Sequence, residues 1–211
     1  MRRRSKLLVT GVALAIGSAV AFVLKKRNDP APLPYEQRHV LDLPRLLKRS
    51  QLQEVLAPES SEHILEVGPG TGRYSLPVAR ELDQDGSLHV LDVQEPMLDH
   101  TVERAREQGV DGITVTHADA QEPPYPDENF DAAYMVSTIG EIPDPDQEQA
   151  LEELYRVLRP GGRLVVGESI ADPDMVRFGT LRDRCESVGF RFERRVGRRI
   201  SYFARFRKPA P

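Results

Sequence analysis

The sequence predicts an α/β fold built on a mostly parallel sheet with helices on both faces. Three observations point there. From about residue 61 onward, short β-branched apolar runs alternate with segments of helical spacing. The first run, HILEV at residues 63–67, passes directly into Gly68-Pro69-Gly70-Thr71-Gly72 and then into a helical stretch. That layout lets backbone come close to a nucleotide-like ligand at the carboxyl edge of a parallel sheet. The last two runs, residues 190–196 and 199–207, read as a hairpin about Gly197, which adds one antiparallel strand.

The elements follow in order. Ile64, Leu65 and Val67 form a buried strand, and Arg73 onward, YSLPVAREL, a helix. SLHVLD (87–92) is a second strand, followed by a helix over 95–108. ITVTH (113–117) and FDAAYMVS (130–137) are the third and fourth strands. In 146–158, Ala150, Leu151, Leu154, Val157 and Leu158 recur at helical spacing, and Pro160-Gly161-Gly162 terminates the run. Residues 163–168 make a fifth strand, and 175–188 a helix closed by Gly189.

The amino-terminal third reads differently. MRRRSK is basic, residues 7–24 carry no charge, and Lys25-Lys26-Arg27 follows. As a helix the uncharged stretch spans about 27 Å, close to the hydrocarbon thickness of a bilayer. The expectation is an uncleaved membrane anchor over 1–27, the alternative a signal peptide cut after Ala19-Val20-Ala21. Gly11/Ala15 and Gly17/Ala21 have the small-xxx-small spacing of paired membrane helices, which leaves a homodimer open; membrane helices also simply contain many small residues. Basic residues on both flanks give no firm orientation. Residues 28–60 read as a proline-rich linker and one or two amphipathic lid helices, and 61–211 as the main domain.

Composition narrows the partners. A net charge of -4 argues against a general nucleic-acid binder. The one cysteine, Cys185, cannot form an internal disulfide and cannot hold a metal alone, so it reads as a buried small residue on a helix. No metal site is expected.

The glycine turn alone does not choose between a dinucleotide and S-adenosylmethionine. Asp92 ends the second strand about twenty positions after the turn, where a carboxylate accepts from ribose hydroxyls in either ligand. The pattern is G-x-G-x-G, with Arg73 where a dinucleotide loop would carry its third glycine. Glu66 precedes the loop. A carboxylate there is unfavourable beside pyrophosphate but suits the positive amino-acid end of S-adenosylmethionine.

HILEVGPGTG, HVLDVQEPML, HADAQEPPYPDENFDAAYMV and LEELYRVLRPGGRLVVGE resemble the successive motifs of class I S-adenosylmethionine-dependent methyltransferases, nearest in appearance to the ubiquinone/menaquinone C-methyltransferases. The resemblance implies a Rossmann-like seven-stranded sheet of order 3-2-1-4-5-7-6. It implies that Glu66, Gly68, Gly70 and Gly72 surround the methionine moiety and that Asp92 binds the ribose. Val93 and Met97 would flank the adenosine, Asp119 and the Ala120 N–H would meet the adenine, and Val136 and Ser137 would line the cavity at the methyl.

The chemistry implied is in-line displacement at a sulfonium, in which the protein mainly positions and desolvates. No general base is secure. The family's histidine pair after strand four is replaced by Gly140-Glu141, leaving Glu141 as a weak candidate for base, amine ligand or cap. Tyr35 and His39 are candidate substrate contacts from the lid. Glu122-Pro123-Pro124-Tyr125 resembles a motif of amino-methylating nucleic-acid enzymes but precedes strand four, so it carries no such reading. The expectation is a single-pass membrane methyltransferase, its domain facing the cytoplasm, acting on a small or lipid-like, quinone-type acceptor. The alternative is a non-catalytic S-adenosylmethionine-binding protein at the membrane.

Overall fold

The computed structural model describes residues 30–44 and 46–211. Seven strands form one sheet: β1 (His63–Val67), β2 (Ser87–Asp92), β3 (Ile113–His117), β4 (Phe130–Val136), β5 (Leu158–Ser169), β6 (Arg191–Arg198) and β7 (Ser201–Arg207). Their order is β3-β2-β1-β4-β5-β7-β6, as the family resemblance implied. The first five run parallel, and β7 pairs antiparallel with both β5 and β6.

Side chains alternate across the sheet and build two cores. On one face Ile64, Leu88, Val90, Ala132 and Val165 meet α1 (Arg49–Leu56), α2 (Ser75–Ala79) and α3 (Glu95–Glu107). On the other, Leu65, Val67, Ala133, Met135, Leu164 and Val166 meet α4 (Asp146–Val157) and α5 (Phe178–Val188). Cys185 is fully buried in the second core. The amino-terminal segment is clamped to the far side of the sheet by arginines. Arg194, Arg205 and Arg163 donate to the carbonyls of Glu54 (2.7 Å), Val55 (3.2 Å) and Leu56 (2.5 Å), and Arg163 reaches Ala57 as well. These are the carbonyls that the end of α1 leaves without intrahelical partners, and cations there oppose its dipole. Arg163 also pairs with Glu62 at 2.5 Å.

Several expectations are corrected. The helix after the glycine turn is only α2, and Pro77, which has no N–H to give, fits in its first turn and limits how early it can begin. β5 begins at Leu158 rather than Arg163: Gly161 and Lys208, and Lys208 and Gly162, exchange backbone hydrogen bonds that prolong the ladder. The hairpin turns at Arg199-Ile200, and Gly197 pairs with Tyr202 inside the ladder. The described architecture does not include the expected transmembrane helix. No helix among the described residues is long and apolar enough to cross a membrane. The longest, α3, has 13 residues and reaches about 20 Å, well short of a hydrocarbon core. The stretch on which the anchor and its pairing were read, residues 7–24, lies outside the described residues.

Candidate active site

A cavity of about 640 Å³ opens at the carboxyl edge of the parallel strands. Its floor is the glycine turn. Gly68 holds a left-handed φ of 73° and donates its N–H to the Leu91 carbonyl at 2.8 Å. A Cβ there would lie 2.5 Å from Thr138 Oγ1, so both its conformation and its neighbour demand bare backbone. Gly70 also lines the cavity, while Gly72 faces Leu76 and Thr101 away from it.

Two acids stand at adjacent strand ends. Asp92 lines the cavity and is 9% exposed. Burial pushes its carboxyl up to about 6, against the Gln94 and Val93 N–H groups, which favour the charged form. The Gln94 N–H bonds it at 2.9 Å. Glu66 is different: it lies beneath the floor rather than on the wall, because its side chain points toward the face that α2 covers. Burial pushes it up to about 7, opposed by the hydroxyls of Ser75 and Tyr134 and aided by the Asp92 charge. Those hydroxyls face the carboxyl without completing hydrogen bonds, and Glu66 Oε2, Ser75 Oγ and Tyr134 Oη all lack a partner among the described residues. Val93, Met97, Asp119 and Ala120 complete this end of the cavity. Asp119 Oδ1 is held by the Gln121 N–H at 2.9 Å.

The opposite end is made by loops. Val136 and Ser137 close β4, and Ser137 takes a left-handed φ of 57°. Its N–H donates to Gly167 at 2.7 Å and its Oγ to Asp172 at 2.6 Å. Glu141, on the short turn Ile139–Glu141, lines the cavity with Ala171, Asp172 and Asp174. Glu168 supports this loop from below. Burial pushes its carboxyl well up, neighbouring Asp172, Asp174 and Glu141 add to that, and its Oε2 accepts from the Val176 N–H at 2.8 Å.

The lid is a 3-10 helix, Tyr35–Asp42, none of whose residues is buried. Leu33, Gln37, Val40 and Leu41 of this segment line the cavity, and Leu41 meets Gly70. Polar contacts latch it. Asp42 accepts from Arg104 (2.8 Å) and Thr71 (3.1 Å), while Gln94 donates to the Leu33 carbonyl at 3.0 Å. Burial acts to raise Asp42, but Arg104 and Thr71 hold its carboxyl below the ordinary range. Tyr35 and His39, expected as substrate contacts, do not line the cavity: Tyr35 packs edge-on against His100 and under Arg38, and His39 is exposed. Tyr125 donates to Thr116 and packs edge-on against Phe130, a packing role outside the cavity. The sequence reading missed Leu41, Asp42, Thr138, Asp172 and Asp174. No local pattern marks them, since each reaches the site through a distant partner.

The geometry fits a nucleoside with a charged tail: a bare-backbone floor, a buried acid on one wall and a second beneath with an unmet oxygen. Comparisons with known proteins agree. Demethylmenaquinone methyltransferase of Listeria welshimeri is 34% identical over 116 residues, covering 55% of this chain and 48% of that protein. The counterpart from Anoxybacillus flavithermus is 30% identical over 145 residues, covering 69% and 57%. The chain thus spans about half the length of the curated relatives it matches. Among solved structures, a SAM-dependent methyltransferase from Aquifex aeolicus superposes with a TM-score of 0.75 at 21% identity, covering 84% of this chain and 100% of that one. The N-methyltransferase NodS from Bradyrhizobium japonicum, in complex with S-adenosyl-l-homocysteine, gives 0.63 at 20%, covering 83% and 88%. These two likenesses show the fold. Residues 64–162 match the family described as a methyltransferase domain, and the chain therefore carries a methyltransferase domain of the class I S-adenosylmethionine-dependent type.

Proposed function

We propose that the protein moves a methyl group from S-adenosylmethionine to a small, quinone-type aromatic acceptor. The observation that carries the reading is the pairing, in one cavity of about 640 Å³, of the Gly68–Asp92 end with a second, loop-built end. The names of the relatives support the acceptor class. S-adenosylmethionine supplies an electrophilic methyl and a neutral thioether leaving group. The protein's part is placement and exclusion of water.

In this reading Asp92 accepts from the ribose hydroxyls, Asp119 from the adenine amino group, and the Ala120 N–H meets a ring nitrogen. Val93 and Met97 flank the adenosine. Gly68 and Gly70 let the backbone approach the methionine tail, while Gly72 packs behind them against Leu76 and Thr101, and Glu66 balances the ammonium from below. Val136 and Ser137 border the methyl. Val40, Leu41 and Ile142 give the cavity apolar wall, suited to an aromatic ring. Methylating an aromatic carbon forms a C–C bond, breaks the S–C bond and releases the ring proton. Glu141, on the loop-built wall, is the assigned acceptor of that proton.

The test is incubation of the protein with S-adenosylmethionine carrying a deuterated methyl and a reduced 1,4-naphthoquinone bearing a free ring position. Mass spectrometry should find the labelled methyl on the ring. Cofactor binding without a methylated product from this acceptor would overturn the acceptor class.

A further inference from the structure

Seven large hydrophobic side chains stand exposed among the described residues, and six of them sit at one end of the molecule. Leu43 and Leu46 follow the lid, Val40 is on it, and Val93 follows β2. Ile170 (60% exposed) follows β5, and Ile200 (47%) is at the β6–β7 turn. All belong to the carboxyl edge of the parallel strands, where the cavity opens; only Val115, on the edge strand β3, lies elsewhere. Ile170 and Ile200 form a single tip, since the Ile170 N–H donates to the Ile200 carbonyl at 2.8 Å. The next residues after Ile170, Ala171 to Asp174, line the cavity.

Charge is segregated as well. From Arg191 to Lys208 stand eight basic residues and one acid, Glu193, in a chain of net charge -4. Several of the eight are engaged within the fold: Arg205 and Arg207 with Glu193, Arg194 with Glu54, Lys208 with the Tyr155 and Leu158 carbonyls. Arg198 and Arg199, beside Ile200, are exposed at the tip. Asp172 and Asp174, two and four residues past Ile170, line the inside of the cavity, and Glu168, paired with Tyr202, is buried.

We propose that this rim docks on an anionic lipid bilayer, with Ile170 and Ile200 entering the headgroup layer and Arg198 and Arg199 meeting its phosphates. Single aliphatic side chains on protruding turns, flanked by arginine, suit a deformable headgroup layer. They do not form the aromatic-rich, contiguous patch that a protein partner needs. Docking in this pose sets the cavity mouth against the lipid, so that a hydrophobic acceptor can enter without crossing water.

Cys185 is the only cysteine and is buried, so an environment-sensitive thiol dye goes selectively to an introduced residue. The full chain is labelled at Ile200→Cys, at Ile170→Cys, or at Asp111→Cys, which is exposed at the opposite edge where the chain enters β3. Phosphatidylglycerol–phosphatidylcholine vesicles are then added. Position-specific labels read this edge whatever else in the chain meets lipid. The dye should blue-shift at 200 and 170 and not at 111. Arg198→Gln with Arg199→Gln should weaken the Ile200→Cys response roughly thirtyfold, at about fivefold per basic side chain near an anionic surface. No shift at 200, an equal shift at 111, or equal affinity for pure phosphatidylcholine vesicles overturns the proposal. S-adenosylhomocysteine binding, measured by calorimetry on the same proteins, should be unchanged. Lost vesicle contact with intact binding therefore counts against the surface and not against methyl transfer.

Discussion

At one end of the cavity, β1 and β2 finish in Gly68 and Asp92, side by side through strand pairing, and the groups that face inward follow from strand order. At the other end, Ser137 and Glu141 come from the loop after β4 and Asp172 from the loop after β5, and the two loops meet only because β4 and β5 are neighbours. The first end is rigid by construction: a parallel ladder sets its spacing, and glycine backbone leaves no side chain to move. The second is held by individual hydrogen bonds, such as Ser137 to Asp172 across 35 positions, and can vary without disturbing the sheet. A cofactor common to many enzymes suits the first kind of construction and a particular acceptor the second.

Substitution at the strand-built end should have the largest effect. Asp92→Ala should weaken S-adenosylhomocysteine binding about a hundredfold, the loss expected for two hydrogen bonds to a charged acceptor. Ser137→Ala, read by the same calorimetry, should stay within about twofold. Similar losses in both would erase the distinction between the ends.

Glu66 gives a sharper, pH-dependent version. Its carboxyl moves from an ordinary 4.5 to about 7 in the fold, so the folded state holds the proton more tightly than the unfolded chain. Its contribution is most favourable below 4.5 and is lost as pH rises through about 7. Glu66→Gln should therefore raise the Tm of the ligand-free protein increasingly from pH 5 to pH 8, with an upper bound of about 3 kcal/mol. A bound ammonium favours the carboxylate, so wild-type affinity for S-adenosylhomocysteine should rise about tenfold between pH 6 and pH 8. The Glu66→Gln variant should show a flat profile. A parallel rise in both proteins would mean that Glu66 does not sense the tail.

The lid tests the boundary between the two ends with the smallest change. Asp42→Ala removes its contacts to Arg104 and Thr71, which are partly solvated and worth about 1 kcal/mol together. Affinity should fall about fivefold, and amide exchange across residues 35–42 should accelerate. Unchanged exchange would show that Leu41 on Gly70 holds the lid without the latch.

Much of the sheet was legible because each strand advertises itself over five residues or more, and the glycine turn marks where β1 stops. The family resemblance supplied the strand order. Asp92, Val93, Asp119, Ala120, Val136 and Ser137 sit on the cavity wall as residues at or just past strand ends should, and Met97 joins them from the first turn of α3. The lid contacts were less legible. Its helix was readable, but an exposed 3-10 helix with no buried residue has no apolar face to show which side turns inward. Tyr35 and His39 therefore looked as eligible as Leu41. The depth of Glu66 was equally hidden, because alternation along a strand does not say which face a helix will seal.

By itself, the sequence determined the alternating elements, the left-handed glycine turn and the acids at the strand ends, all of which depend on neighbours a few residues away. The tertiary structure alone decided that Glu66 lies under the floor, that Asp42 meets Arg104 across 62 positions, and that Ser137 meets Asp172. Backbone conformation responds to local sterics and hydrogen-bond period. Contacts between loops arise only after packing has fixed where each strand end stands.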